Sequence, residues 1–129
     1  VLPNLDFRKM ARQWRAGSKA RAAKIGRSVE PPSIDEVESY LRNLPPVCEY
    51  CGRRLSASKA GKPNMDHRLP IARGGGAEVT NLVLACAGCN RAKGEMTETE
   101  FRALKALVST WEDSGRDLMR RLKLGWFSH

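Results

Sequence analysis

Cys48-Glu49-Tyr50-Cys51-Gly52 and Cys86-Ala87-Gly88-Cys89-Asn90, with Met65-Asp66-His67 between them, decide how this chain reads. The two Cys-x-x-Cys pairs are separated by 34 residues (52 to 85), so closing both on one ion pins each end of the intervening segment. Four thiolates at about 2.3 Å suit a tetrahedral structural zinc, which imposes no geometry of its own and is closed to water. A redox role for the pairs is disfavoured, because they match each other and no thioredoxin-like βαβ pattern surrounds them. Zinc binding in small peptides is worth roughly 10–16 kcal/mol, as much as a whole domain's stability. The ion is therefore expected to be part of the fold.

Between the pairs, Ser56 to Asn64 is a polar, Lys- and Gly-containing loop. Met65-Asp66-His67-Arg68-Leu69-Pro70-Ile71 reads as one strand closed by Pro, Gly74-Gly75-Gly76 as a flexible turn, and Asn81-Leu82-Val83-Leu84-Ala85 as a second strand. From Cys89 onward the pattern is helical and places Asn90 and Lys93 in or near the first turn, on similar faces.

Upstream, residues 6 to 27 carry eight Lys and Arg against the single acid Asp6 and form a basic arm. Phe7, Met10 and Trp14 make an apolar stripe on its first half, and Gly17-Ser18 is expected to interrupt the helix. Two compatible roles follow: an arm that tracks phosphates on DNA, or a helix that docks its stripe on the domain. After Pro31-Pro32, the Ser-x-x-Glu pattern at Ser33 and Glu36 predicts a capped scaffold helix with Ile34, Val37, Leu41 and Leu44 on one face, ended by Pro45-Pro46.

Downstream, Thr97-Glu98-Thr99-Glu100 offers a second capping box, with Phe101, Leu104, Leu107, Val108 and Trp111 on an apolar face. Asp113-Ser114-Gly115 breaks that helix, Leu118, Met119 and Leu122 suggest a short last one, and Trp126-Phe127 is expected to cap the core. The expected organisation is one domain over 1–129: an arm (1–32), a scaffold helix (33–46), the central unit (47–95) and C-terminal helices (96–129).

The chain of 129 residues has 23 Lys and Arg against 14 Asp and Glu, a net charge of +9. Such a field attracts polyanions, and nucleic acid is the expected partner, since the basic residues do not flank an apolar segment able to enter a bilayer. No run of 18 apolar residues occurs and the first residues lack the regions of a signal peptide, so an intracellular, cytoplasmic, soluble protein is expected.

Asp66-His67, Gly74-Gly75, Asn81-Leu82 and Cys89-Asn90-x-x-Lys93, flanked by the cysteine pairs, resemble the HNH endonuclease family over about residues 47–95. The nearest subset is the small zinc-containing nucleases of phages and bacterial restriction systems. The resemblance implies an α+β fold, a ββα-metal core with a structural four-cysteine zinc site (Cys48, Cys51, Cys86, Cys89) between N- and C-terminal helices. It implies a DNA endonuclease leaving 5′-phosphate and 3′-hydroxyl ends. A phage terminase or restriction-system protein as partner follows by analogy alone.

Phosphodiester hydrolysis needs a base to deprotonate water, a divalent cation to offset developing charge, and basic groups to hold the backbone. By the resemblance His67 is the base and Asp66 with Asn90 holds Mg²⁺ or Mn²⁺, both hard ions suited to carboxylate and amide oxygens. Asn81 orients the His67 loop by hydrogen bonds, and Arg68, Arg73, Arg91 and Lys93 steady the phosphate. Lys93 has a second reading, as a residue on a solvated helix face. Strict strand alternation puts Asp66 and His67 on opposite faces, yet both must serve one phosphate, so the strand is expected to end or twist there. The competing class is a zinc-stapled nucleic-acid-binding module without catalysis, which has no need of Asp66, His67 and Asn90 in that order.

Overall fold

The computed structural model describes residues 5–58, 61–110, 117 and 119–121. The expected breaks and contacts at Trp111, Asp113-Ser114-Gly115, Leu118, Leu122 and Trp126-Phe127 lie outside the described residues. Among the described residues no helix is long and apolar enough to cross a membrane.

The first helix, α1 (Phe7–Lys24), starts where the Asp6 carboxylate accepts the Lys9 N–H at 2.9 Å. Its buried residues are Phe7, Ala11, Trp14, Ser18 and Ala22, a stripe at helical spacing. The expected break at Gly17-Ser18 does not occur. Glycine inside a helix costs about 1 kcal/mol relative to alanine, but Ser18 lies on the docked stripe, and tertiary packing overrides that cost. The stripe packs on α2 (Ile34–Asn43), which Ser33 caps at 3.2 Å to Glu36 N and which buries Val37 and Leu41. Four further bonds fasten α1 and the turn after it: Trp14 Nε1 donates to Ala77 O (2.9 Å), Arg15 to Pro32 O (2.7 Å), and Arg27 to Ile71 O and Gly75 O (2.6 and 2.9 Å).

Two short strands, β1 (Asn64–His67) and β2 (Leu82–Ala85), pair antiparallel with Asp66 opposite Val83 and His67 opposite Leu82. The expected seven-residue first strand stops at His67: Arg68 N still reaches Asn81 O in register, but Asn81 N turns to Glu78 O and Arg68 O accepts from Glu98 N, and from Pro70 the chain turns into a single 3-10 turn, Ile71–Arg73. Asn81, expected to open the second strand, ends another 3-10 turn, Val79–Asn81. Every residue of β2 is buried, so this strand is covered on both faces.

β2 runs straight into Cys86, which caps α3 (Ala87–Lys93), completing a ββα unit. The last described full helix, α4 (Glu98–Ser109), opens on a complete capping box between Thr97 and Glu100 and buries Phe101 and Val108. Leu107, expected on that buried face, is 55% exposed; the stripe follows 101, 104 or 105, and 108, which turns Leu107 outward. The architecture is α+β, with the ββα unit between helices from both ends of the chain.

Candidate active site and metal centre

The four cysteine sulfurs lie within 4.8 Å of one another, and Cys51 and Cys86 are 3.9 Å apart. Ligands about 2.3 Å from a tetrahedral centre stand about 3.8 Å apart, so the cluster is of the size that a zinc ion would draw together. Gly52, at φ +76°, lets its N–H turn back to Cys48 O, and Tyr50 N and Cys89 N each point at a cysteine sulfur at 3.4 Å. Glu49 N donates to Leu84 O, which ties the first pair directly to β2. Electrostatics also call for a cation. Burial opposes the Cys48 thiolate, but backbone hydrogen bonds outweigh it and bring the thiol down to about 7. Burial, aided by the neighbouring sulfurs, pushes Cys51 and Cys89 up. Four thiolates coexist there only with a positive ion among them.

Asp66 and His67 leave consecutive positions of β1 yet line the same cleft of about 390 Å³, together with Arg21, Lys24, Ile71, Gly94 and Glu95. The strand ends at His67, but within it the two side chains still leave on opposite sides, as the pleat requires. Asp66 points toward α3 and α4. One of its oxygens, Oδ2, accepts the Tyr50 hydroxyl at 2.6 Å and faces Lys93 Nζ at 3.0 Å. Burial and the Asp66 carboxylate push the Tyr50 phenol up, so it stays protonated and donates. Phe101 of α4 meets the Tyr50 ring edge-on at 5.4 Å and backs it.

His67 points the other way, toward α1. Its ring stacks on Trp14 at 4.0 Å with 22° between planes, and Nε2 lies 2.9 Å from Ser18 Oγ. Burial, then the charges of Arg21 and Lys93, lower its pKa to about 4, so the ring is neutral at physiological pH.

Lys93 is not on a solvated face. It is fully buried, paired with Asp66 and donating to His67 O at 2.9 Å, and it closes α3 as its last residue. Arg68 is engaged by Glu49 and Glu98, and Arg73 forms a two-pronged pair with Glu100 at 2.9 and 3.0 Å. Arg91 is exposed. The Asn81 side chain accepts Leu69 N and donates to Leu69 O and Gly76 O, clamping the turn after β1. Asn90 stands half-buried at the end of the first turn of α3 and does not line the cleft.

Three residues at this site were not anticipated, Trp14, Ser18 and Tyr50, whereas Arg21 and Lys24 belong to the basic arm expected to track phosphates. Trp14 was legible only as an apolar stripe residue, and Tyr50 as one of two variable positions in a Cys-x-x-Cys turn.

Comparison with protein-family models matches residues 48–96, 49 of the 129, to the family described as HNH endonuclease. Residues 48–96 are an HNH domain. The domain contains all four cysteines, both strands and α3, and it ends before α4 begins. Neither the curated proteins nor the solved structures include a match to the chain. Helix α1, which supplies Arg21 and Lys24 to the cleft and Trp14 and Ser18 to the His67 ring, lies outside the matched stretch.

Proposed function

We propose that the HNH domain hydrolyses phosphodiester bonds of DNA, with His67 as general base and Asp66 and Asn90 holding a divalent cation, and that its four cysteines bind zinc. The observation that carries this reading is the convergence of a neutral His67 and the Asp66 carboxylate on one cleft rimmed by Arg21 and Lys24. The donor set suits Mg²⁺ or Mn²⁺. Asp66 takes its two internal contacts on Oδ2 alone, which leaves Oδ1 without a hydrogen-bond partner among the described residues, and Asn90, outside the cleft lining, would have to reach the ion from the first turn of α3. Carboxylate and amide oxygens are hard ligands, and a site with so few protein ligands leaves room for phosphate oxygens and water. When bound, such an ion offsets the negative charge that builds on the phosphate.

The protein's own groups account for the remaining work. His67, neutral at pH 7, takes a proton from the attacking water. Lys93, held in the interior, fixes the Asp66 carboxylate and adds a positive charge behind it. Asn81 holds the turn that follows β1 and so the end of the strand. Arg21 and Lys24, one turn apart on α1, take the phosphate-holding role in place of Arg68, Arg73 and Lys93, whose charges are engaged internally. Arg91, exposed on α3, extends that surface.

The test is plasmid cleavage by zinc-loaded protein and by His67→Ala, with Mg²⁺, with Mn²⁺ and with chelator. Metal-dependent cutting that is lost in His67→Ala is expected. Cutting that survives the substitution would sink the assignment of the base, and DNA binding without cutting under either metal would favour a zinc-stapled binding module.

A further inference from the structure

Helix α1 makes the only hydrogen bond to the His67 ring among the described residues, from a stretch that the HNH family model does not cover. Ser18 interrupts an otherwise apolar stripe. Phe7, Ala11, Trp14 and Ala22 bury hydrocarbon at their positions, whereas Ser18, at 0% exposure, buries a hydroxyl. A buried hydroxyl without a partner costs about 1–3 kcal/mol, so packing alone would be served better by alanine. Its one side-chain partner is His67 Nε2.

A neutral imidazole carries one N–H and one lone pair, and the group bonded to one nitrogen decides which the other presents. Nδ1 of His67 has no hydrogen-bond partner among the described residues. No buried side-chain nitrogen or oxygen among them lacks one, so Nδ1 reaches solvent. It is thus the nitrogen open to a reactant.

We propose that Ser18 is a positioning residue for His67: its hydroxyl accepts Nε2–H and so leaves the Nδ1 lone pair free, while Trp14 holds the plane of the ring. This rests on the reading of His67 as the base. The hydrogen bond serves both ends of the proton transfer. Water gives its proton to Nδ1, the ring becomes imidazolium, and Nε2 keeps the N–H that Ser18 already accepts. A donating Ser18 would instead put the proton on Nδ1 and leave that nitrogen unable to receive one. The helix is held against rotation by Trp14 Nε1 on Ala77 O, and the turn after it by Arg27 on Ile71 O and Gly75 O. A slip of one residue turns a helix by about 100° and would carry Ser18 away from the ring.

The experiment combines two readouts on the zinc-loaded chain. Two-bond ¹H–¹⁵N correlation at pH 7 reads the His67 tautomer, assigned by comparison with His67→Ala, since His129 is the only other histidine. Wild type is expected to show Nε2–H alone, and Ser18→Ala a mixture of both tautomers. Plasmid cleavage is expected to lose about tenfold in kcat in Ser18→Ala, the worth of one hydrogen bond, with KM unchanged. Wild type bearing Nδ1–H overturns the proposal without any variant having to fold. So does a Ser18→Ala protein with wild-type tautomer and kcat. Cutting that survives His67→Ala defeats the hydrolytic role of His67 and with it the catalytic part of the proposal, while the tautomer still decides whether Ser18 holds the ring.

Discussion

Replacing Lys93 by methionine tests the interior of the site most directly. The ammonium has no exposure, lies 3.0 Å from Asp66 Oδ2 and donates to His67 O at 2.9 Å. Methionine keeps the length and apolar stem of the side chain and removes only the charge and its donors. Breaking a buried pair by removing one partner costs about 3–5 kcal/mol, because the other charge stays behind uncompensated. Asp66 keeps the Tyr50 hydroxyl, which pulls the value to about 3 kcal/mol, and the orphaned His67 carbonyl returns about 1 kcal/mol. A total of about 4 kcal/mol corresponds to a drop of about 16 °C in Tm for a chain of this size. Urea unfolding of the zinc-loaded protein measures it, with Asp66→Asn and the double variant completing a cycle. The double variant is expected to be about 2 kcal/mol more stable than the sum of the singles, since neither charge is then left alone. A Lys93→Met midpoint within about 0.5 kcal/mol of wild type, the range of an exposed substitution, would refute the buried pair.

Removing zinc with a chelator, or substituting Cys86→Ser, is expected to abolish the cooperative thermal transition, since roughly 10–16 kcal/mol of metal binding is comparable with the stability of the whole domain; a retained sharp melt with no bound zinc by elemental analysis would contradict this. Gly75→Ala is expected to cost more than about 3 kcal/mol in urea, because its Cβ would fall on the Leu69 carbonyl and no flexible side chain is there to yield; an unchanged midpoint would show that the turn moves freely. His67 is neutral in the native state down to about 4 and titrates near 6.5 when unfolded, so its contribution is full above about pH 6.5 and is lost as pH falls toward 4. Wild type should therefore lose more stability than His67→Asn between pH 7 and 5, by at most about 1.4 kcal/mol per pH unit and less where the open cleft screens the ring. Parallel curves for the two proteins would rule that out. DNA affinity should fall with salt by about 0.9 log units per neutralised phosphate, and Arg21→Ala/Lys24→Ala should reduce that slope by about 2; an unchanged slope would remove α1 from the interface.

Much of the central unit was legible because its signals are local. The cysteine spacing, the apolar run before Cys86 and the Thr97-x-x-Glu100 box each depend on neighbours in sequence, and each stands in the structure close to its place in the sequence pattern. What escaped was long-range. Ser18 and His67 are 49 residues apart and Lys93 and His67 are 26 apart, so no periodicity could pair them. Helical spacing put Lys93 near Asn90, but Ala92 and Lys93 both turn inward at the end of a seven-residue helix, where the chain leaves toward α4 rather than into solvent. Gly17-Ser18 read as a break because local propensity is weak against a docked stripe. Arg68 and Arg73 looked free because Glu98 and Glu100 reach them only after α4 folds back, and Glu49 reaches Arg68 only once the first cysteine turn docks on β2.

Asp66 and His67 thus depend on different supports. Asp66 is held from one side by Tyr50 and Lys93, which belong to the first cysteine turn and to α3, the elements joined by the four sulfurs. His67 is held from the other side by Trp14 and Ser18, which belong to a helix that touches none of those cysteines by a hydrogen bond among the described residues. A strand of four residues paired with one other is too small to fix either side chain by itself. The geometry at the cleft is therefore the product of two clamps on consecutive residues of β1, one built by the four-cysteine cluster and one by packing. Damage to them should separate: loss of a cysteine should disturb Asp66 first, and loss of the α1 contacts should disturb the His67 ring while the metal site keeps its ion.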